Sequence, residues 1–269
     1  MKNILTRLPF AHRGLFDNKS LIPENTVGAF KAAIEAGYGI ELDVGLTSDN
    51  KVVVFHDDDL QRLCGSSLVL NHASWEDLRT FKVLQSQERI PLLRDVLQFV
   101  NGQVPLMIEL KSFHSRDGFY ENGKLESAVA EVVENYTGRY AFKSFNPMSV
   151  VLLQNMKLTQ KVGKTPVGFL TCDYEKDGDF GYLSAGAAKL HQHLESEVAK
   201  SADFISYNID DLTPEISEKL RCLKSKNKSN SKCMLAWTVK NEQQFLKAQK
   251  LADNIVFEWR ETPARQFCE

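Results

Sequence analysis

The chain has 269 residues, 43% of them hydrophobic and 25% charged, which excludes a disordered, fibrous or membrane-spanning protein. Lys and Arg total 33 against 35 acids, so a net charge of −2 leaves no basic footprint for nucleic acid. Five cysteines without paired Cys-x-x-Cys spacing exclude a disulfide framework and a zinc site; with an apolar run near Met1 too short for a signal peptide and no stretch near the ~18 apolar residues of a membrane span, they point to the cytoplasm.

In chain order, strand-like runs fall at Leu8–His12, Gly39–Thr47, Val104–Lys111, Tyr140–Phe145, Pro166–Leu170, Asp203–Tyr207, Met234–Val239 and Asn254–Trp259. Amphipathic segments separate most of them, at Thr26–Ala36, Lys124–Asn135, Pro147–Asn155, Pro214–Leu223 and Glu242–Leu251. Strands alternating with helices imply a parallel sheet, and eight units of about 34 residues imply closure into a (β/α)8 TIM barrel, one domain over residues 1–269. A doubly wound open sheet ordinarily carries a Gly-x-Gly-x-x-Gly turn after its first strand, which this chain lacks. Residues 57–92, after the second strand unit and a short run at Lys51–Phe55, are expected to form a small insertion on the barrel rim. The basic run Lys224–Lys232 precedes a strand and is expected to be a solvated loop on the face away from the active site.

Side chains alternate across a strand, so Ile40, Leu42, Val44 and Leu46 share one face while Glu41 and Asp43 share the other, roughly 6–7 Å apart. In Leu106–Lys111 the same alternation puts Leu106, Ile108 and Leu110 outward and Glu109 and Lys111 inward. Carboxylates inside a barrel need a cation or donors. Three of them make a hard oxygen site suited to Mg2+ or Ca2+. The structural alternative is an internal Glu109–Lys111 ion pair that also satisfies Glu41; the repeated in-facing pattern on two strands favours a site.

His12-Arg13-Gly14 closes the first strand and His56-Asp57 closes the Val52–Phe55 run. Strand ends line a barrel's catalytic mouth. Histidine titrates near neutrality, and arginine offers a planar fork for phosphate. His72 lacks such company, His114 is a weak rim candidate, and His191 and His193 are expected at the surface of a polar helix.

The ordered set His12-Arg13-Gly14, Pro23-Glu24-Asn25-Thr26, Glu41-Leu42-Asp43-Val44, His56-Asp57 and Glu109-Leu110-Lys111, with Trp237-Thr238-Val239 late in the chain, resembles the glycerophosphodiester phosphodiesterase signature. The resemblance implies a TIM-barrel enzyme that cuts a small-molecule glycerophosphodiester to sn-glycerol 3-phosphate and an alcohol. It implies Glu41, Asp43 and Glu109 as ligands of Mg2+ or Ca2+, His12 and His56 as general acid and base, and Arg13 and Lys111 on the phosphate. Phe145 and Trp237 would wall the glycerol or leaving group, or simply pack. Glu24 would orient His12 or Arg13, or merely be an acid at a helix start, with Asn25 or Thr26 as N-cap. The chain departs from the pattern at Glu258-Trp259, where members often carry Thr-Asp before a proline (here Pro263), at Lys240 and at Asn146-Pro147; these changes are expected on the rim, where they bear on the leaving group. Attack by the glycerol 2-hydroxyl through a cyclic phosphate and direct attack by water both remain open. So do a lysophospholipase D-like activity on lipids, served by Leu63, Leu68, Val69, Leu70 and Trp75 of the insertion, and a non-catalytic barrel that binds a phosphorylated metabolite. The sequence carries no signal for a particular oligomeric state.

Overall fold

The computed structural model describes residues 2–19, 21–112, 123–176, 183–223 and 232–259, with Glu261 and Phe267. The strands are β1 (Phe10–Ala11), β2 (Gly39–Leu46), β3 (Val52–Val54), β4 (Leu106–Leu110), β5 (Tyr140–Ser144), β6 (Val167–Thr171), β7 (Phe204–Asn208), β8 (Cys233–Val239) and β9 (Asn254–Phe257). Their order is β1-β9-β8-β7-β6-β5-β4-β2-β3, and β1 also pairs with β2, so eight parallel strands close into a barrel. The helices are α1 (Lys2–Thr6), α2 (Val27–Ala36), α3 (Gln61–Cys64), α4 (Trp75–Leu78), α5 (Leu93–Val100), α6 (Lys124–Val133), α7 (Pro147–Leu158), α8 (Ala185–Gln192), α9 (Glu197–Ser201), α10 (Pro214–Cys222) and α11 (Glu242–Leu251). This is the expected (β/α)8 architecture. No helix among the described residues is long and apolar enough to cross a membrane.

Alternation along each strand sorts the core into two layers. The outward residues Ile40, Leu42, Val44, Ile108, Leu110, Phe142, Phe169 and Ile205 pack against Phe30 and Ala33 of α2, Val96 and Leu97 of α5 and their counterparts around the barrel. The inward residues Phe10, Met107, Ala141, Phe204, Leu235 and Val256 form an apolar floor, plugged from below by Ile4 and Leu5 of α1. Gly168 belongs to this floor because a Cβ there would stand 2.3 Å from the Phe204 ring. The N-terminal segment, unassigned in the sequence reading beyond its shortness, is thus the barrel's lower plug. Above the floor the inward layer turns charged, with Glu41, Asp43, Glu109 and Lys143 all buried.

The 57–92 insertion carries its own small core. Leu60, Leu63, Leu70, Ala73, Leu78, Val83 and Ile90 are buried against Val53 and Phe55, with Leu68 and Trp75 half-buried on the same cluster. Its apolar side chains therefore point inward and are not a hydrophobic rim. Two expectations need correcting. His191 is not at the surface: it is buried beside Phe169 and Tyr174, with ring centroids 5.1 and 6.2 Å away, and burial lowers its pKa. Lys232, at the end of the basic run, is buried and donates to the Ala199 carbonyl at 2.8 Å and to that of Lys200, satisfying the end of α9. His114, Pro263 and 224–231 lie outside the described residues.

Leu60 is fully buried at the start of α3 and helps fix that helix on the barrel. Leu60→Ala is expected to lower stability by about 2–5 kcal/mol in urea unfolding, the scale of a large-to-small core substitution; an unchanged midpoint would mean that the insertion is not packed as a core.

Candidate active site

The site sits where the barrel strands end. His12 and Arg13 follow β1, Glu41 and Asp43 lie on β2, Glu109 lies on β4 with Lys111 just after it, Phe145 follows β5, and Trp237 lies on β8. His56 arrives by a route the sequence reading did not foresee. β3 is antiparallel to β2 and is not a barrel strand: the chain climbs past the rim on β2, turns, and returns on β3 in the register Val44↔Val54. The return is pinned by the Phe55 N–H donating to the Asp43 carbonyl at 3.0 Å, which sets His56 beside the acids.

Glu41, Asp43 and Glu109 each offer an oxygen within 4.8 Å of the others, and all three are buried. Parallel register enforces this convergence, since Asp43 pairs with Glu109 across the β2–β4 ladder. Burial alone would push all carboxyl pKa values up. Burial does oppose ionisation of Asp43, but His56, Arg13 and Lys111 outweigh it and hold the pKa low. At Glu109 burial is likewise outweighed, chiefly by Lys111 and Lys143.

Each acid has specific partners. The Arg13 N–H donates to Glu41 Oε2 at 3.0 Å. Asn25 Nδ2 donates to Asp43 Oδ2 at 2.9 Å while the Asp43 N–H donates to Asn25 Oδ1 at 3.3 Å, and Arg13 Nε lies 3.4 Å from Asp43 Oδ2. Lys111 Nζ stands 3.2 Å from Glu109 Oε1 and 3.3 Å from His56 Nε2. The Glu109–Lys111 pair considered from sequence is therefore present. It does not satisfy Glu41, whose ammonium partner is Lys143 at 2.8 Å; Lys143 also stands 3.2 Å from Glu109. Lys143 was missed, although the alternation Tyr140, Phe142 outward and Ala141, Lys143 inward marks it.

The two histidines are held alike. His12 Nδ1 is 2.6 Å from Glu258 Oε1, and His56 Nδ1 is 2.7 Å from Asp57 Oδ1. Both carboxylates stay ionised. Burial opposes this at each, but His12 and Lys240 bring Glu258 down to about 2, and His56 and Arg62 hold Asp57 below the usual carboxylate range. An ionised carboxylate only accepts, so each Nδ1 carries the proton and each Nε2 is left without one; that of His56 faces the Lys111 ammonium. His12 Nε2 is 3.8 Å from Glu41 Oε2. The 255–259 segment, read from sequence only as a departure on the rim, supplies in Glu258 the partner of a histidine 246 residues away in sequence.

Arg62 of α3, also missed, joins the halves of the mouth. It donates to both Glu24 oxygens at 2.7 and 2.9 Å and to both Asp57 oxygens at 2.9 and 2.7 Å. Glu24 also takes Arg13 NH1 at 2.5 Å. α2 starts at Val27 with Thr26 as N-cap, so Glu24 lies before the helix and contacts Arg13 rather than His12. Gly14 must be glycine: its φ is +81°, and a Cβ would meet the Ala29 backbone at 2.8 Å. Phe145 and Trp237 meet edge to face at 5.4 Å, and the Trp237 Nε1 donates to the Ser206 carbonyl at 3.0 Å.

The residue set bears a test for a divalent ion. Asp43 Oδ1 is buried without a hydrogen-bond partner among the described residues, beside two further carboxylates that converge on it. Glu41 Oε1 likewise lacks a hydrogen-bond partner there and has only its ion pair with Lys143, and an all-oxygen anionic set with such oxygens fits a hard cation.

Residues 12–257 match the family model described as the glycerophosphoryl diester phosphodiesterase family. A glycerophosphodiester phosphodiesterase of Caldanaerobacter subterraneus subsp. tengcongensis is 36% identical over 165 residues, covering 58% of this chain and 65% of that one. A putative glycerophosphodiester phosphodiesterase of Bacillus subtilis, YhdW, is 27% identical over 93% of both chains. Three curated relatives are matched over 60%, 61% and 65% of their own lengths, less than two thirds of each. An Oleispira antarctica phosphodiesterase solved in complex with its product sn-glycerol-3-phosphate superposes with a TM-score of 0.72 at 20% identity, covering 98% of this chain and 96% of that one, a likeness of fold. The chain belongs to the glycerophosphoryl diester phosphodiesterase family.

Proposed function

We propose that the barrel mouth hydrolyses small glycerophosphodiesters to sn-glycerol 3-phosphate and an alcohol, in the cytoplasm. The observation that carries this reading is the matched pair of histidines, each with Nδ1 anchored on a carboxylate, His12 Nε2 lying 3.8 Å from Glu41 and His56 Nε2 lying 3.3 Å from the Lys111 ammonium that pairs with Glu109. Five cysteines without paired spacing are in keeping with a reducing compartment. The inward-facing core of the insertion favours small diesters over lipid substrates.

Glu41, Asp43 and Glu109 would hold Mg2+ or Ca2+, which when bound supplies positive charge to the phosphate oxygens. The chain's own residues supply the rest. Arg13 and Lys111, with side chains 15% and 12% exposed, can reach a phosphodiester anion from the wall of the mouth. A neutral Nε2 on one histidine takes the proton of the attacking hydroxyl, and an Nε2–H on the other returns one to the departing alcohol oxygen. Asp57 and Glu258 stabilise the imidazolium formed at each step and fix the ring that delivers the proton. Where attack comes from the glycerol 2-hydroxyl, proximity supplies much of the acceleration. Phe145 and Trp237 offer an apolar wall to the glycerol or leaving group.

Release of glycerol 3-phosphate from several glycerophosphodiesters, with and without EDTA, tests this reading; chelation is expected to abolish turnover, and chelator-resistant turnover would refute the three-carboxylate metal site. His12→Ala and His56→Ala are each expected to lower kcat at least ~10²-fold, the scale of a positioned acid or base, and near-normal activity in either would remove that histidine from the reaction. Glu258→Ala is expected to lower kcat by about 10–100-fold with little change in KM, because the ring is then free to turn and take the other tautomer.

Acid should loosen the site. Burial raises the Glu24 pKa but Arg62 and Arg13 overcome it, bringing it from 4.5 to about 2. A folded-state pKa below the unfolded one stabilises above pH 4.5, and that contribution is lost as pH falls toward 2. Between these limits the unfolding free energy of the wild type should fall more steeply than that of Glu24→Gln, by up to about 1.4 kcal/mol per pH unit. Parallel pH profiles in urea denaturation would show that Glu24 is not held ionised.

A further inference from the structure

One cation of the cluster has no part in proton transfer or phosphate recognition. Lys143 is only 2% exposed, deeper than Lys111 and Arg13. It is the cross-strand neighbour of Glu109 on the β4–β5 ladder, and its ammonium touches Glu41 Oε1 at 2.8 Å and Glu109 Oε2 at 3.2 Å. A charge in such a place is costly unless partners compensate it, and these two carboxylates stand within ion-pair distance. Two residues back along the same ladder, Met107 and Ala141 belong with Phe204 to the apolar floor, so Lys143 sits at the boundary between that floor and the charged layer. It touches two of the three acids that a divalent ion would use. The third, Asp43, has no ammonium contact among the described residues and keeps one oxygen without a hydrogen-bond partner there.

Resting on the metal reading above, we propose that Lys143 is the built-in counter-cation of the three-carboxylate cluster: it holds Glu41 and Glu109 in place without a divalent ion, and a divalent ion competes with it for their charge. An ammonium is a compact point charge whose three donors match two flanking carboxylates. Like charges a few ångströms apart in a poorly polarisable interior repel more strongly than in water, so the same group that relieves the metal-free cluster weakens its hold on a second cation. Metal affinity is thereby set by a residue that need not ligate the metal.

Lys143→Met keeps the aliphatic stem and removes the charge. Wild type, Lys143→Met and a control, Lys157→Met, which breaks the ion pair of α7 with Asp203, are compared by thermal melting in EDTA and in excess Mg2+ or Ca2+, and by calorimetric titration with each metal alone. Lys143→Met is expected to bind the metal at least ~10-fold more tightly than wild type. It should also melt lower than wild type in EDTA and recover in metal, whereas Lys157→Met should lose the same amount in both buffers. If Lys143→Met does not fold in either buffer, Lys143→Gln, which keeps a donor without the charge, carries the same titration against the same criterion. Equal metal affinity in wild type and the neutral variant would overturn the proposal and leave the metal site standing. Absence of binding in both would overturn the metal reading and the proposal together.

Discussion

Three carboxylates buried within 4.8 Å of one another are the constraint around which the mouth is built. Removing a single unpartnered carboxylate from water costs several kcal/mol, and three in one place repel as well. The barrel meets the constraint through register. Parallel ladders bring Asp43, Glu109 and Lys143 side by side in one layer, so the acids of β2 and β4 find their ammonium on β5 without help from a loop. The apolar floor below keeps that layer closed to water, and it depends on small inward residues, Gly168 above all, that make room for Phe204.

Above the charged layer the mouth is held by a second set of acids whose work is to fix bases. Asp57 and Glu258 anchor the histidines from opposite ends of the chain, and Glu24 anchors Arg13. Arg62 binds both Glu24 and Asp57, so one guanidinium on the insertion braces a phosphate-facing arginine and a histidine at once. The insertion is therefore more than a rim decoration. Its core seats α3, and α3 seats Arg62.

How far the sequence revealed this depended on the range of each interaction. Period-two alternation sufficed to place Glu41, Asp43 and Glu109 inward and their aliphatic neighbours outward, because it is a local property of any strand. The same rule applied to Tyr140–Ser144 marks Lys143, but lysine is so seldom fully buried that its inward position carries meaning only once Glu41 and Glu109 are known to face it. Glu258 and the Arg62–Glu24 link were hidden for another reason: His12 lies 246 residues from the one and Glu24 38 residues from the other, and no spacing rule reaches that far. Asp57, five residues from Arg62, does not by itself reveal the brace. His191 shows the converse, for a polar neighbourhood in sequence says nothing of Phe169, which arrives from β6 to cover it. The bounds of the five amphipathic helices read from sequence were legible to within a few residues, since caps such as Thr26, Asn146 and Thr213 act on their own first turn. Helices α1, α3, α4, α5, α8 and α9 were given no bounds.

Depth then sorts the cations by task. Lys143, at 2% exposure, can answer only to the acids that surround it. Lys111 and Arg13 are shallower, and each already contacts both an acid of the cluster and a second group, half-buried His56 for one and buried Glu24 for the other. On the proposed reading, an anion entering from solvent would meet these two before Lys143. An anion at the mouth and a cation among the acids would then call on different residues, so the same barrel can keep its carboxylates ionised and still present positive charge at its mouth.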